Sequence, residues 1–121
     1  MIFAGIGLRQ GATVESLRNV LAKTGANSVS ALATPFDKAI HPAIVALRKE
    51  LDIQIMAIGA QEMEAQETVT QAERVIEKRG TGSVAEACAL AAAGHGGSLT
   101  VTRVISDDRM ATCAIAVRRG L

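Results

Sequence analysis

The chain is 121 residues long, and 49% of its residues are hydrophobic but only 2% are aromatic. Its 13 Lys and Arg residues nearly balance its 12 Asp and Glu residues, so the net charge of +1 excludes the global positive field with which many proteins attract nucleic acid or membranes. The scarcity of rings also disfavours binding by base stacking. A chain of this length buries roughly two-thirds of its unfolded surface, which predicts a single domain covering residues 1–121.

Cysteine usage and hydropathy indicate the cellular compartment. Cys88 and Cys113 lack the paired short spacing of a zinc or redox motif, and we expect both to be reduced. The sequence has no apolar stretch near the roughly 20 residues that span a bilayer, and its first apolar run follows no basic leader. We therefore predict a cytoplasmic protein that binds neither a membrane nor nucleic acid.

The opening segment, MIFAGIGLRQGAT, predicts a strand, a tight turn and the start of a helix. Gly5, Gly7 and Gly11 let the chain bend and leave the backbone without Cβ atoms, while Thr13 can cap a helix that Gly25 ends. Such a turn leaves amide groups free at a helix N-terminus, which is a favourable place for an anion. The spacing Gly-x-Gly-x-x-x-Gly is one residue longer than the dinucleotide fingerprint, so glycines that only permit a tight turn are the alternative.

The next segments predict two further strands separated by a helix. Residues 29–33 have strand composition and are expected to end before Pro35, because proline donates no ladder hydrogen bond. Pro42 suits the first turn of the following helix. Residues 53–58 then form a third strand that ends at Gly59.

The rest of the chain predicts a short helix, a second glycine-rich loop, an alanine-rich helix and a hairpin. The short helix is expected near residues 60–66, with loose structure up to residue 79. Ser83 and Glu86 form a Ser-x-x-Glu capping box at the start of the alanine-rich helix, which Gly94 should end. The hairpin strands are expected at residues 98–104 and 112–117.

Together these elements predict an α/β fold. We expect a three-layer sandwich with a mostly parallel central sheet, helices on both faces and an antiparallel C-terminal hairpin. In such sheets the loops that follow the parallel strands collect at one edge, where ligands bind. Residues 5–11, 34–41 and 80–86 are therefore expected to share that edge.

Three basic residues are candidates for holding an anionic ligand. Arg9, Lys38 and Arg103 could each bind a carboxylate or phosphate, although each alone is better explained as a solvated surface charge. Lys38 is the best placed of them, because it lies in a proline-marked loop directly after a strand.

Two other residues have both a chemical and a structural interpretation. His41 could act as an acid or base, but its place beside Pro42 at a helix start also suits a polar cap. Glu86 could act as a general base behind the Gly80-Thr81-Gly82 loop, but the capping box already explains it. His95 lies in a glycine-rich loop and is expected to be exposed.

The sequence supports neither a nucleophile motif nor a metal site. No Ser or Cys is paired with His and an acid in a known pattern, and the two His and two Cys residues are scattered. We therefore predict no metal or cofactor, and a catalytic role has only Glu86, Lys38 and His41 as candidates. The predicted ligand-binding residues are Gly5, Gly7, Arg9, Gly11, Thr34, Lys38, Gly80, Gly82 and Ser83.

Four segments, taken together, carry a family resemblance: GIGLRQG at 5–11, LATPFDK at 32–38, GTGSVAEA at 80–87 and ATCAIA at 111–116. In order and spacing they resemble the cobalamin-biosynthesis proteins CobE and the C-terminal domain of CbiG, over nearly the whole chain. The length resembles the stand-alone CobE form of the aerobic route. Many relatives have Cys at the position of Leu8 and Glu at that of His41, so this chain departs from the family pattern there.

The resemblance implies a protein of the corrin-ring pathway. Corrin precursors are large rings edged with carboxylates, which suit glycine-lined helix N-termini together with Arg9 and Lys38. One hypothesis is that the protein binds a precorrin or corrin intermediate and assists it or passes it on. Another is a hydrolase or lyase acting on a precorrin lactone or side chain, since the longer CbiG proteins are associated with lactone opening and acetaldehyde release. A third is an accessory that binds other enzymes of the cobalamin pathway.

Overall fold

The structure, a computed structural model, describes residues 1–71 and 83–119. These residues form one five-stranded sheet with helices packed on it. The strands are β1 (Ile2–Leu8), β2 (Ala31–Pro35), β3 (Gln54–Ile58), β4 (Ser98–Ile105) and β5 (Ala111–Val117). The helices are α1 (Val14–Thr24), α2 (Pro42–Leu51), α3 (Ala60–Glu64) and α4 (Val84–Ala93), and a 3-10 turn covers Phe36–Lys38.

The strand order is β3-β2-β1-β5-β4, and the pairing confirms the predicted fold class. Strands β1, β2 and β3 are parallel, whereas β5 is antiparallel to both β1 and β4. Strand β4 therefore runs in the same direction as β1. The carboxyl ends of β1, β2, β3 and β4 all lie at one edge of the sheet, called here the carboxyl edge.

The two faces of the sheet carry separate cores, as the predicted three-layer arrangement requires. Alternate residues of β1, such as Ala4 and Ile6, pack with Leu17 of α1 and Ile44 of α2. Phe3 points to the other face and packs with alanines of α4 and with Met63 of α3. Helices therefore cover both faces.

Helix α4 lies on β1 at a distance that only a glycine permits. A Cβ added to Gly5 would lie 1.9 Å from the carbonyl oxygen of Ala85 and 2.6 Å from the amide nitrogen of Ala89. Small side chains along α4 let its backbone approach the strand this closely. Gly5 therefore serves the packing of the helix on the sheet.

Strand β2 begins and ends two residues later than the sequence predicted, and it includes Pro35. The prediction was wrong because β2 pairs with β1 only as far as Gly5 opposite Ala33, so Pro35 lies beyond that ladder and needs no N–H toward β1. Pro35 has an extended backbone (φ −55°, ψ 144°) and pairs with Ile58 of β3. The strand therefore delivers the chain directly into the 3-10 turn at the carboxyl edge.

The predicted helix ends are confirmed. Thr13 caps α1 by accepting from the amide of Ser16, and Gly25 follows the helix in the left-handed region (φ 72°). Ser83 caps α4 by accepting from the amide of Glu86, and Gly94 ends it with φ 74°. Helix α3 falls within the predicted residues 60–66, while the loose structure expected up to residue 79 lies largely outside the described residues.

Both cysteines are buried and no disulfide bond joins them, as predicted. Cys88 lies on α4 and Cys113 on β5, and burial raises the pKa of the Cys113 thiol to about 12. His95 is exposed, also as predicted. Among the described helices, none has the length and apolar character needed to cross a membrane.

Candidate functional site

The loops after β1 and β2 meet at the carboxyl edge, as the sequence predicted. The Nε2 atom of His41, after β2, lies 2.8 Å from the carbonyl oxygen of Gln10, after β1. Below this contact, the hydroxyl of Thr34 donates a hydrogen bond of 2.9 Å to the carbonyl of Ile6. Two hydrogen bonds thus join the segments that were expected to share a site.

His41 joins the two loops and caps a helix at the same time. Its Nδ1 accepts a hydrogen bond of 3.1 Å from the amide of Ala43, in the first turn of α2. Since Nδ1 accepts, Nε2 carries the proton and donates to Gln10. The capping interpretation of His41 is confirmed, and both of its ring nitrogens are occupied.

The predicted candidate cations Arg9 and Lys38 both lie at this edge. Arg9 is exposed, and its backbone amide donates to the carbonyl of Met110 in the β4–β5 turn. Lys38 is partly buried at the end of the 3-10 turn. Within residues 1–71 and 83–119, neither side chain has an ion pair or hydrogen bond. Their charges are therefore available to a ligand.

Two large apolar side chains are exposed on the same loop as Lys38. Phe36 is 60% exposed and Ile40 is 85% exposed, although most other large apolar side chains of the described residues are covered. A cation set between exposed apolar groups matches a ligand that is itself both apolar and anionic.

The start of α1, by contrast, already has anionic and polar partners. Thr13 and Ser16 cap each other's amides, and the Ser16 hydroxyl donates to the Asp108 carboxylate from the β4–β5 turn. Hydrogen bonds from the hydroxyls of Ser106 and Ser16 and from the amide of Met110 hold the pKa of Asp108 below its usual value. The carboxylate of Asp108 thus lies beside this helix start, where the sequence predicts a ligand anion.

Glu86 makes contacts that the capping box does not explain. Its side chain is fully buried, and its Oε1 accepts from the amide of Thr70 at 2.8 Å. Its Oε2 accepts from the Thr70 hydroxyl at 2.6 Å and from the amide of Arg103 at 2.8 Å. Burial raises the pKa of Glu86, but the hydrogen bonds from Thr70, Arg103 and the Val69 amide outweigh it and leave the pKa lowered.

The capping-box prediction was therefore correct for Ser83 and wrong for the Glu86 side chain. The Ser83 hydroxyl accepts from the Glu86 amide, but the Glu86 carboxylate bonds to Thr70 and Arg103. The physical reason is that two segments distant along the chain offer it several donors where a capping box offers one.

Comparison with known proteins decides the family. The family model described as cobalamin synthesis G C-terminus matches residues 2–116. The chain belongs to this family. A comparison with curated proteins found no match.

Solved structures of cobalamin-biosynthesis proteins agree with this assignment. The chain is 28% identical to CobE, a protein from the cobalamin (vitamin B12) biosynthetic pathway, with a TM-score of 0.86 over 96% of this chain and 92% of that one. It is 32% identical to the cobalamin biosynthesis protein chiG from Agrobacterium tumefaciens str. C58, with a TM-score of 0.74 over 99% and 100% of the two chains. A putative cobalamin biosynthesis protein G homolog from Sulfolobus solfataricus, 20% identical, shares the fold (TM-score 0.74) over 98% of this chain and 37% of its own.

In this member of the cobalamin synthesis G C-terminus family, the predicted ligand-binding residues occupy different environments. Thr34 and Ser83 are fully buried, and Gly5 lies beneath α4. Gly7 is partly buried at the end of β1, while Gly11 is exposed. Gly80 and Gly82 lie outside the described residues. Only part of the predicted set, with Arg9 and Lys38 foremost, therefore faces the outside of the molecule.

Sequence reasoning did not single out the exposed side chains of Phe36 and Ile40 or the partners of Glu86. Phe36 is one of only two aromatic residues and directly follows Pro35 at a strand end, which was an available signal. Thr70 and the amide of Arg103 gave no signal, because nothing in a linear pattern shows that residues 16 and 17 positions away meet the Glu86 carboxylate.

Proposed function

We propose that this protein binds a corrin or precorrin intermediate at the carboxyl edge of its sheet and assists it or passes it on. The observation that carries the proposal is the loop in which Lys38 lies between exposed Phe36 and Ile40, beside the loop of Arg9. Membership of a cobalamin-biosynthesis family supplies the class of ligand.

The chemistry of such a ligand fits this loop cluster. A tetrapyrrole-derived ring has wide apolar faces, and its edge carries several carboxylates. Binding would bury the side chains of Phe36 and Ile40 against the apolar face of the ring, which is favourable. Each cation would form a charge-assisted hydrogen bond to a carboxylate of the ring edge. A small anion would use the cations but leave the apolar side chains in water.

The environments of two of the catalytic candidates, His41 and Glu86, favour binding over catalysis. Both nitrogens of His41 and both oxygens of Glu86 have hydrogen-bond partners within the protein. A general base needs a free lone pair directed at the substrate. Passing the ligand on would involve contact with other enzymes of the cobalamin pathway, and we place this transfer in the cytoplasm.

Arg9→Ala and Lys38→Ala are each expected to weaken binding of a carboxylate-bearing corrin by about 1–3 kcal/mol, the range for a hydrogen bond to a charged group. The measurement is a titration with cobyrinic acid, followed by its absorbance. Melting temperatures should change little, since both charges lie at the surface and have no partner among the described residues.

Arg48→Ala is the matched control, because Arg48 is exposed in the last turn of α2, which leads away from the carboxyl edge. It should bind like the wild type. Equal losses for Arg9, Lys38 and Arg48 would indicate a non-specific charge effect and contradict the proposed site. A change in the mass of a precorrin during incubation would show that the protein is an enzyme.

A further inference from the structure

Strand β4 contains an irregularity close to the carboxyl edge. Val101 pairs with Ile115 and Val104 pairs with Cys113, so Thr102 and Arg103 together stand opposite the single residue between those partners on β5. This is the arrangement of a β-bulge, which removes an amide from the ladder and redirects a side chain. The amide of Arg103 instead donates to the Glu86 carboxylate at 2.8 Å.

The bulge is held by a buried negative charge. Glu86 is fully buried, and its described partners are the hydroxyl and amide of Thr70, the amide of Val69 and the amide of Arg103. Amide and hydroxyl dipoles from two separate segments thus stabilise the carboxylate. The charge in turn fixes β4 against the first turn of α4, where Glu86 lies.

The guanidinium of Arg103 takes no part in this arrangement. Arg103 is partly buried, and among the described residues its side chain has no ion pair or hydrogen bond. The residues of β4 that follow it end at the carboxyl edge, where Ile105 pairs with Thr112 and Thr112 pairs with Gly7. Arg103 is therefore an unneutralised cation two residues from the edge that also bears Arg9 and Lys38.

The distance between these cations indicates the size of ligand that could contact all of them. Lys38 follows β2, Arg9 follows β1 and Arg103 lies on β4, with β5 between the last two. From β2 to β4 there are three strand spacings of about 4.8 Å, or roughly 14 Å. One small anion cannot reach across this width, whereas a ring with carboxylates around its rim can.

We propose that Arg103 binds a further carboxylate of the corrin ligand, and that Glu86 is the positioning residue that aims Arg103 by holding the bulge. This inference rests on the proposed function and deepens it. The proposed binding site then extends across the edge of the sheet, with Arg9 and Lys38 on one side of β5 and Arg103 on the other. The same arrangement gives the buried Glu86 carboxylate a role that requires no proton transfer.

The test compares wild type, Arg103→Gln and Glu86→Gln in titrations with cobyrinic acid, which has free carboxylates, and with cobinamide, whose side chains are amides. Arg103→Gln should lose about tenfold in affinity for cobyrinic acid and bind cobinamide as the wild type does. Glu86→Gln, kept at a temperature where it is folded, should show the same selective loss, together with faster hydrogen exchange at the Arg103 amide. Arg48→Gln, with the same change of charge, is the control and should bind both corrins normally.

The outcomes separate the two proposals. If the wild type binds cobyrinic acid and Arg103→Gln binds it equally well, this inference is overturned while the proposed function stands. If Glu86→Gln loses both corrins equally, its role is general stability and the positioning role is overturned. If the wild type binds neither corrin, the proposed function fails, and this inference fails with it.

Discussion

Gly5→Ala is expected to lower the free energy of unfolding by about 3 kcal/mol, the upper part of the range for overpacking a tightly packed core. The added methyl group would lie 1.9 Å from the Ala85 carbonyl oxygen and 2.6 Å from the Ala89 amide nitrogen. Both atoms belong to the backbone of α4, so no side-chain rotation relieves the overlap and the helix must move off the sheet. Urea denaturation monitored by circular dichroism measures the loss.

Two variants sharpen this prediction. Gly11→Ala adds the same methyl group where the nearest atom is Cε of Met110 at 3.5 Å, and it should stay within about 0.5 kcal/mol of the wild type. Gly5→Ala combined with Ala89→Gly should remain destabilised, because the closest atom belongs to the Ala85 backbone. Wild-type stability of Gly5→Ala would show that α4 does not lie on β1 at the distance described.

Glu86→Gln is expected to lower the free energy of unfolding by about 2–3 kcal/mol near neutral pH. The NH2 group that replaces one carboxylate oxygen is a donor, and it would face N–H or O–H donors of the protein. Both oxygens of the carboxylate accept hydrogen bonds, from Thr70 and from Arg103, whereas a glutamine side chain has only one oxygen that can accept. This loss exceeds the roughly 1 kcal/mol that a helix cap alone would give. Glu15→Gln, an exposed change in the first turn of α1, is the control and should have a small effect.

The loss should also depend on pH, with a sign that follows from the lowered pKa of Glu86. A carboxyl group whose pKa is lower in the folded than in the unfolded state stabilises the protein above the unfolded value of about 4.3. That stabilisation disappears as the pH falls through the folded value. The difference in free energy of unfolding between wild type and Glu86→Gln should therefore be constant above about pH 5.5 and shrink below about pH 4.

Urea titrations of both proteins across this pH range provide the measurement. A difference that grows on acidification would mean that burial dominates and the folded pKa is raised, contrary to the hydrogen bonds observed. Complete loss of corrin binding or turnover at an unchanged melting temperature would instead assign the carboxylate a direct role in chemistry.

The sequence by itself determined the element order, the α/β class and the edge of the sheet at which the loops meet. These follow from local signals: the strand composition of β1, the cap at Thr13, the left-handed glycine at Gly25 and the proline that starts α2. Once parallel strands alternate with helices, the loops after the strands must gather at one edge. The candidate residues Arg9 and Lys38 could be predicted for the same reason, because both lie in loops that follow parallel strands.

Tertiary structure alone decided what several of those residues do. The sequence predicts that Gly5 is part of a ligand turn, but its role depends on how closely α4 approaches β1, a distance set by packing between segments 80 residues apart. The sequence predicts an anion site at the start of α1, but Asp108 reaches this helix start from the β4–β5 turn. The sequence predicts that Glu86 caps its own helix, yet Thr70 and the bulge at Arg103 offer its carboxylate more donors. Local patterns fix local hydrogen bonds, whereas these partners are brought together only when the sheet and its two helical layers have formed.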